Sequence, residues 1–387
     1  MKKINLIKII YFLKFFSDAL FAGYLSMYFA TFFDTYSFEY ALLLGIIPFC
    51  ALIGNFLWGS LSKNVKRNLL LVKIVLCLET ITMILFTITS KSFYALLILT
   101  ILFGLFNSPC FTLQDGLASN YSKKENTSYP NIRYIGSFGY LCALFIGAKL
   151  IKLFNNNYNY IFIISFSLNI ICLILWFFIK PFENVNEEEI TKIKYSEVLK
   201  NKYFIFYFIA YLLVIGTNNV LDSYLFTRMS LVNITSYQYS LFFALEVLFE
   251  IITIFLSSKF VKEKHYFLVL KISYIVIFLR SFLFGFNLPL NVLFFFAPLR
   301  GIGWGGFLSV HILILRKIVS NKLITKAVSI LTIFLSLVNG IMTISGSSIY
   351  SQISINGFYF LLAFLQFIGI IILCLINFKL IKEQEWK

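Results

Sequence analysis

Residues 93–154, "FYALLILTILFGLFNSPCFTLQDGLASNYSKKENTSYPNIRYIGSFGYLCALFIGAKLIKLF", decide the fold of this 387-residue chain. The segment contains two apolar runs, 93–119 and 132–154, each of the roughly 20 residues that an α-helix needs to cross a bilayer. A basic loop with Lys123 and Lys124 joins them, which predicts a hairpin of two membrane-spanning helices. Asp115 and Arg133 each lie within one of the apolar runs, and their presence there needs a functional or structural reason.

The same pattern recurs along the whole chain. The composition is 60% hydrophobic and 13% charged, with a mean hydropathy of +0.87, whereas soluble domains carry about 25% charged residues. We therefore predict an all-α polytopic membrane protein with twelve transmembrane helices in two six-helix bundles. The predicted spans are 7–33, 40–62, 69–90, 93–119, 132–154, 159–180, 203–227, 238–258, 266–287, 290–314, 323–349 and 354–379.

One polar stretch, "KPFENVNEEEITKIKYSEVLKNK" at 180–202, divides the spans into six and six. It predicts an N-terminal six-helix bundle at 1–180, a cytoplasmic linker at 181–202 and a C-terminal six-helix bundle at 203–387. Two bundles joined in this way are typical of transporters that rock around a site near the middle of the membrane. The plan is complete in one chain, so we expect a monomer.

The net charge of +16 would suit a nucleic-acid partner, but its distribution argues against one. If the N-terminus is inside, almost all Lys and Arg outside the spans lie on the inner side. The outer side holds only Lys91, Lys149, Lys152 and Arg228. The positive-inside rule then places both termini in the cytoplasm, and we expect a multi-pass protein of a bacterial cytoplasmic membrane, in contact with anionic lipid.

The cysteine and histidine content predicts neither a cofactor nor an enzyme. All six cysteines lie in spans without metal-ligand spacing, which is typical of small core residues rather than of disulfides or a metal site. His265 and His311 stand without a nucleophile triad or an acid–base pair around them. A phosphate-binding loop is also absent from the sequence, which disfavours ATP-driven transport.

Ionisable residues inside spans cost at least about 2.5–3.5 kcal/mol each on insertion scales, so they persist when paired, hydrated or facing a cavity. The chain contains many of them: Lys14, Asp18, Glu79, Asp115, Arg133, Asp222, Glu246, Glu250, Lys271, Arg280 and Arg300, with His311 near the end of a span. We expect some of these side chains to line a polar pathway.

In the first half of the chain, Lys14 and Asp18 are four residues apart and share a helical face. Two interpretations stay open: an intrahelical ion pair that lowers the cost of insertion, or an Asp18 that faces the cavity. Glu79 has no evident partner, and we expect it to be structural or protonated.

In the second half, Glu246 and Glu250 share a face and need a cation nearby. Arg280, on the following span, is the natural partner for one of them. The tenth span contains "RGIGWGG" at 300–306, whose glycines allow close helix approach or bending. Trp304 in this segment could stack on a substrate ring.

The stretch "FGLFNSPCFTLQDGLASNYSKKENTSYPNIRYIGSFGY" resembles the major facilitator superfamily, and more narrowly the branch of lactose permease and the phenylpropionate-permease-like proteins. That branch carries a similar SP, then DALAN, then YG-x-x-R-x-x-GS. The resemblance implies that Asp115 and Arg133 bind substrate from helices 4 and 5, and that Tyr140 stacks on a substrate ring. A structural salt bridge between Asp115 and Arg133 is the alternative.

Weaker similarities run through the second half. "NNVLDSY" at 218–224 resembles a helix-7 pattern of two acids, with Asn219 in place of the first and Asp222 as the second. "FEIITIFLSSKF" resembles a helix-8 motif whose acid is Glu250, while alignment to lactose permease selects Glu246. Arg280 matches a helix-9 arginine, and its spacing favours Glu250 as partner.

The chain also departs from the family pattern. Arg300 falls where the family has a histidine, and Gly303 and Ala297 replace the helix-10 acid and lysine. Lys63 stands where the superfamily keeps an aspartate in "GSLSKNVKR". These departures leave the coupling residues open.

We therefore predict a secondary active transporter that moves a small polar or anionic organic solute, a sugar or an aromatic acid, in proton-coupled symport by alternating access. The alternatives are a nucleoside permease or efflux carrier, and a non-transporting receptor or scaffold on the same fold. Predicted substrate-binding residues are Asp115, Arg133, Tyr140, Asn219 and Trp304; predicted coupling or charge-pair residues are Asp18, Asp222, Glu246, Glu250, Arg280 and Arg300.

Overall fold

A computed structural model describes residues 3–62, 64–127, 129–182, 195–320 and 323–376. Within these residues the secondary structure is helical throughout, without a β-strand. The first half contains α1 Lys3–Phe21, α2 Leu25–Ala30, α3 Phe38–Leu61, α4 Val65–Ile88, α5 Phe93–Lys124, α6 Tyr129–Leu153 and α7 Tyr158–Phe177. The second contains α8 Tyr195–Leu199, α9 Lys202–Tyr211, α10 Thr217–Ser223, α11 Leu225–Ser230, α12 Ser236–Phe260, α13 Tyr266–Phe284, α14 Leu290–Phe296, α15 Pro298–Ile318 and α16 Ile324–Cys374.

The predicted all-helical membrane fold is confirmed. Ten helical segments of the described chain are long and apolar enough to cross a membrane. The last of these, Lys326–Cys374, has non-helical backbone at Ser354 and therefore corresponds to two predicted spans, 323–349 and 354–379, of which residues 377–379 lie outside the described residues. The first predicted span corresponds to α1 and α2, where Lys3, Lys8 and Lys14 lower the hydropathy of the segment.

Polar side chains fix where several helices begin and end. Ser37 accepts a hydrogen bond from the backbone N–H of Tyr40 at the start of α3, and Asn64 accepts one from Arg67 at the start of α4. Such N-terminal caps satisfy backbone donors that have no partner within the helix. The predicted linker residues 183–194 and the motif residue Lys63 lie outside the described residues.

Arg228, expected as an outer-loop charge, is a helix cap in the structure. Its side chain is fully buried, and its Nε and Nη2 donate to the carbonyls of Phe284 and Phe286 at 2.7 and 2.5 Å. These carbonyls lie at and just beyond the end of α13, where the backbone lacks intrahelical partners. Its burial is therefore explained by the helix end that it satisfies.

By internal contacts the chain divides into two compact units. Unit 1 contains Met1–Glu188 with Thr235–Leu241, and unit 2 contains Glu189–Ile234 with Phe242–Lys387. In unit 1 the core is built from α1, α4, α5, α6 and α7, and it includes the fully buried Tyr11 and Trp176. In unit 2 the core is built from α9, α13, α15 and α16, and it includes Tyr207 and Tyr274.

A π-helical turn at Leu212–Gly216 joins α9 to α10. A π-turn inserts one extra residue into the helical repeat, and such turns are frequent at functional sites. A Cβ at Gly216 would lie 2.9 Å from Val338 Cγ1, so the turn packs tightly on α16. The turn also rotates every residue that follows it in α10 relative to a regular helix.

Candidate functional site

The predicted pair Asp115 and Arg133 meets across α5 and α6 in unit 1. Arg133 Nη1 lies 3.4 Å from each carboxylate oxygen of Asp115. The Arg133 side chain is 45% exposed and the Asp115 side chain 33%. The tighter bond to this carboxylate comes from the Tyr11 hydroxyl, which donates to Oδ1 at 2.8 Å. The Tyr129 side chain also lies beside this carboxylate. The ion pair is long and partly exposed, so the carboxylate and the guanidinium can each bind a further partner.

Aromatic rings form one side of this pair. The Arg133 guanidinium lies 4.5 Å from the centre of the Phe15 ring, a cation–π distance. Phe15 stacks on Tyr11 at 5.9 Å and meets Phe111 edge-on at 4.8 Å. The resulting surface combines an acid, a base and flat apolar rings.

Tyr140, predicted to stack on a substrate, is half-buried two turns after Arg133 on α6. Its hydroxyl lies 3.8 Å from where a Cβ of Gly23 would stand, next to the end of α1. A Cβ at Gly139 would lie 2.5 Å from the Phe12 carbonyl, so α6 approaches α1 as closely as only glycine allows. This contact fixes the position of Tyr140 beside the first helix.

A second polar cluster of unit 1 corrects the predicted pairing of Lys14. Lys14 Nζ bonds Glu79 Oε1 at 2.7 Å, with both side chains fully buried. Asp18 instead accepts from Asn107 Nδ2 at 2.6 Å, and the same amide nitrogen lies 2.8 Å from Glu79 Oε1. Of the two interpretations of Lys14 and Asp18, the intrahelical ion pair does not form, because the Lys14 side chain reaches across to α4. Its partner there is Glu79, for which no partner was evident in the sequence.

In unit 2, five charged side chains from four helices form one continuous network. Arg280 on α13 donates to Glu246 Oε1 at 2.7 Å and to Asp222 Oδ1 at 2.6 Å. Arg300 on α15 donates to Glu250 Oε2 at 2.7 Å and lies 3.5 Å from Asp222 Oδ2. Acid and base therefore alternate from Glu246 to Glu250, with Asp222 bonded to both arginines.

Burial changes along this network. Glu246 and Arg280 are fully buried, whereas Asp222 and Glu250 are 24% and 20% exposed. The expected Glu250–Arg280 pair is wrong, because Arg280 bonds Glu246, one turn earlier on α12, and Glu250 bonds Arg300. One end of the network is thus closed off from solvent and the other is accessible.

Asn218, for which the sequence predicted no role, contacts the charged network, whereas the predicted substrate-binding residue Asn219 does not. Asn218 Oδ1 accepts from Arg280 Nη1 at 3.3 Å. Among the described residues Asn219 makes no hydrogen bond to the network; its carbonyl accepts from Ser223. The π-turn at Leu212–Gly216 precedes both residues in the same span.

Trp304 lies one turn after Arg300 on α15 and continues a stripe of rings toward the end of the helix. Its ring centre is 5.5 Å from that of Phe307, which lies 4.8 Å from His311. His311 Nδ1 in turn bonds the Tyr207 hydroxyl at 2.5 Å. Trp304 is partly buried against the unit 2 core, next to the network rather than within it.

Two residues of these clusters, Asn107 and Tyr11, were not predicted from the sequence. Asn107 lies eight residues before Asp115, about two turns away on the same face of α5. Tyr11, Lys14 and Asp18 follow an i, i+3, i+7 spacing, which places all three on one face of α1. These spacings are visible in the sequence, but Tyr11 and Asn107 are neutral, and the cost of a charge within a span singles out only ionisable residues.

The cysteines form no disulfide: all six are free thiols. Within the described ranges, no group of three or more His, Cys, Asp or Glu side chains is arranged to hold a metal ion. The polar groups of the spans are therefore organised as ion pairs and hydrogen bonds.

Comparison with known proteins gives consistent matches. Residues 4–362 match the family described as "MFS_1 like family". The uncharacterized transporter YwbF of Bacillus subtilis (strain 168) is 21% identical over 339 residues, which cover 86% of this chain and 82% of YwbF.

Among solved structures, the nucleoside transporter NupG has a TM-score of 0.74 at 16% identity, with 100% of both chains covered. An auto-inhibited POT family peptide transporter has a TM-score of 0.75 at 10% identity, with 100% and 98% covered. At these identities the structural likeness shows the fold alone.

Proposed function

This chain belongs to the MFS_1 like family, and we propose that it is a secondary transporter that moves a small polar organic solute together with protons by alternating access. The proposed arrangement has a six-helix bundle at 1–180, a linker at 181–202 and a second bundle at 203–387. It works as a monomer with both termini in the cytoplasm of a bacterial cell.

The network of unit 2 is the observation that carries this proposal. Five charged groups inside membrane spans are costly, and a buried ion pair is weak support for stability, because apolar replacements are often as stable or more so. Three carboxylates face two guanidiniums, so the fully ionised network carries one excess negative charge. Uptake of one proton makes it neutral.

Asp222 is the proposed proton acceptor. It is partly exposed, and each of its oxygens faces a different arginine, Arg280 or Arg300. Protonation of Asp222 weakens its ion pairs with Arg280 and Arg300 at once. Arg280 then stays paired with Glu246, and Arg300 with Glu250. A single proton therefore changes the links among α10, α13 and α15, which is what coupling of proton binding to helix movement requires.

The proposed substrate contacts are Asp115 and Arg133, with Tyr140 as the stacking ring. A carboxylate accepts from hydroxyl or amino groups, and a guanidinium donates through a planar fork. Phe15 and Tyr11 add flat apolar area beside the pair. This combination suits a solute with a ring and with both donor and acceptor groups, such as a sugar, a nucleoside or an aromatic acid. From unit 2 we propose Asn219 and Trp304 as further contacts.

The test is uptake into proteoliposomes that contain the purified chain, with and without an inward proton gradient. The panel contains galactosides, nucleosides and phenylpropionate-like acids; nucleosides are included because NupG, a nucleoside transporter, shares the fold. Asp115→Asn and Asp222→Asn are compared with the parent. Asp34→Asn, an exposed acid in the loop before α3, is the matched control.

We expect gradient-stimulated uptake of one class of solute, with the Asp34→Asn control unchanged. Asp115→Asn should lose uptake because the charged carboxylate, with two acceptor oxygens, becomes a neutral amide with one acceptor oxygen and one donor group. Asp222→Asn should keep solute exchange across the membrane but lose accumulation against a gradient, because the proton acceptor is gone. Uptake that ignores the proton gradient, or accumulation that survives in Asp222→Asn, would contradict proton coupling through this network.

A further inference from the structure

The Lys14–Glu79–Asn107–Asp18 cluster of unit 1 has no part in the mechanism proposed so far. It joins three helices: α1 contributes Lys14 and Asp18, α4 contributes Glu79 and α5 contributes Asn107. Lys14 and Glu79 are fully buried, and Asp18 is half-buried. The cluster therefore places two carboxyl groups and one ammonium inside a membrane-spanning unit.

The bonds within the cluster leave one negative charge without a cation. The Lys14 ammonium is bonded to Glu79, while Asp18 is bonded to a neutral amide. Among the described residues, Asp18 has no ion-pair partner within 4.0 Å. Glu79 adds an independent observation, because its second oxygen, Oε2, is buried and accepts no N–H or O–H hydrogen bond; the Cys110 thiol, a weak donor, lies beside this carboxylate.

Neighbouring groups do not remove this excess charge. Cys110 on α5 and Cys172 on α7 face the cluster, and thiols in apolar surroundings stay neutral. Arg133 on α6 is a further cation that acts electrostatically on Asp18. Its side chain is 45% exposed, faces Asp115, and lies over the Phe15 ring.

We infer that unit 1 holds a proton-binding site of its own, in which Asp18 and Glu79 share one exchangeable proton beside the Lys14 ammonium. A proton from water adds to one carboxylate oxygen, and the charge of the cluster changes from minus one to zero. Because two interacting carboxyl groups titrate as a pair, the proton belongs to the cluster rather than to either residue.

Lys14 gives this site two arrangements. It lies one turn from Asp18 on the same face of α1, and it bonds Glu79 across to α4. When Glu79 holds the proton, the Lys14 ammonium is free to pair with Asp18. When the proton leaves the cluster, the Lys14 ammonium pairs with Glu79 again. Proton binding therefore alters the link between α1 and α4, and this adds to the proposed function a second protonation site, in the other unit.

The test is pH-difference infrared spectroscopy of the purified chain, which follows the carbonyl stretch of protonated carboxyl groups directly. We expect a titrating band that disappears in both Asp18→Asn and Glu79→Gln. Either change leaves one carboxylate beside the Lys14 ammonium, so the two charges balance and the cluster takes up no proton. The exposed Asp34→Asn control should keep it. The double variant Lys14→Met/Glu79→Gln again has one uncompensated acid, so the band should return.

Retention of the band in both single variants would overturn the inference. Loss in only one of them would also do so, because the proton would then belong to a single carboxyl group independent of the charge balance. Suppression of the band by sodium at constant pH would identify a sodium site instead. The measurement needs no transport, so a failure of the uptake experiment would leave it standing, and the reverse holds as well.

Discussion

Arg280 is fully buried and bonds two carboxylates on different helices. We predict that Arg280→Gln destabilises the chain by about 3–5 kcal/mol, the usual cost when one partner of a buried ion pair is removed and the other charge stays behind. Thermal unfolding of the purified protein should show this as a lower midpoint. Lys264→Gln, an exposed position before α13, should leave the midpoint unchanged.

The second variant Arg280→Gln/Glu246→Gln separates charge from packing. If the cost arises from the uncompensated Glu246 carboxylate, then neutralising Glu246 should recover a large part of the lost stability. A double variant no more stable than Arg280→Gln alone would show that packing of the guanidinium, not its charge, stabilises the unit.

At the same scale, the choice of ion-pair partner could not be read from the sequence. Spacing along one helix correctly placed Lys14 and Asp18 on one face, but the bond that forms depends on which neighbouring helix lies within reach. Lys14 has a long side chain and reaches Glu79 on α4, whereas the shorter Asp18 meets only the Asn107 amide on α5. Helix-to-helix distances decide such pairs, and one sequence does not contain them.

At the scale of the helix, Gly301 determines how α15 meets α12. A Cβ at Gly301 would lie 2.5 Å from the backbone nitrogen of Glu250 and close to the carbonyl of Glu246. We predict that Gly301→Ala pushes the two helices apart, separates Arg300 from Glu250, and costs about 1–3 kcal/mol of stability. The midpoint of thermal unfolding and the rate of solute uptake should both decrease.

The control for this substitution is Gly59→Ala on α3, where nothing lies within 4 Å of an added Cβ. Alanine there should raise stability by about 0.5–1 kcal/mol, because it lowers the conformational freedom lost on folding. Equal effects at Gly59 and Gly301 would mean that helix propensity, rather than close packing, explains the result.

The break in α16 makes a different prediction. Ser354 has φ 68° and ψ 160°, a backbone conformation that essentially only glycine adopts without strain. Its hydroxyl accepts from the Gly357 N–H at 3.2 Å, which offsets part of the cost. Ser354→Gly should therefore stabilise the chain by about 1 kcal/mol in thermal unfolding. Ser351→Gly, within regular helix, should lower stability by a similar amount; stabilisation by both variants would contradict this account.

The elements themselves were largely predictable, and their local irregularities were not. Apolar length fixed the spans, since α3 at Phe38–Leu61 and α12 at Ser236–Phe260 lie within two residues of the predicted 40–62 and 238–258. The π-turn at Leu212–Gly216 gives no such signal, because its residues are as apolar as the rest of the span. Asn218, which follows this turn and had no predicted role, is the residue that the structure brings to Arg280.

For the whole molecule, the distribution of basic residues predicts the orientation of the chain in the membrane. Two of the exceptions to the positive-inside pattern have a local explanation. Lys91 donates to the carbonyls of Phe86 and Thr87 at the end of α4, and burial lowers its pKa. Arg228 is fully buried at the end of α13. Neither residue therefore presents a fully exposed charge to the outer side, and the asymmetry is stronger than a count of charges suggests.

We therefore predict that the loop before α7 is extracellular and the loop before α13 is cytoplasmic. In a variant that lacks the six native cysteines, Asn156→Cys should react with a membrane-impermeant maleimide in intact cells. Lys264→Cys should react only after the membrane is opened, because the positive-inside rule keeps its basic loop in the cytoplasm. Labelling of Lys264→Cys in intact cells would reverse the orientation, and labelling of both sites would contradict an odd number of spans between them.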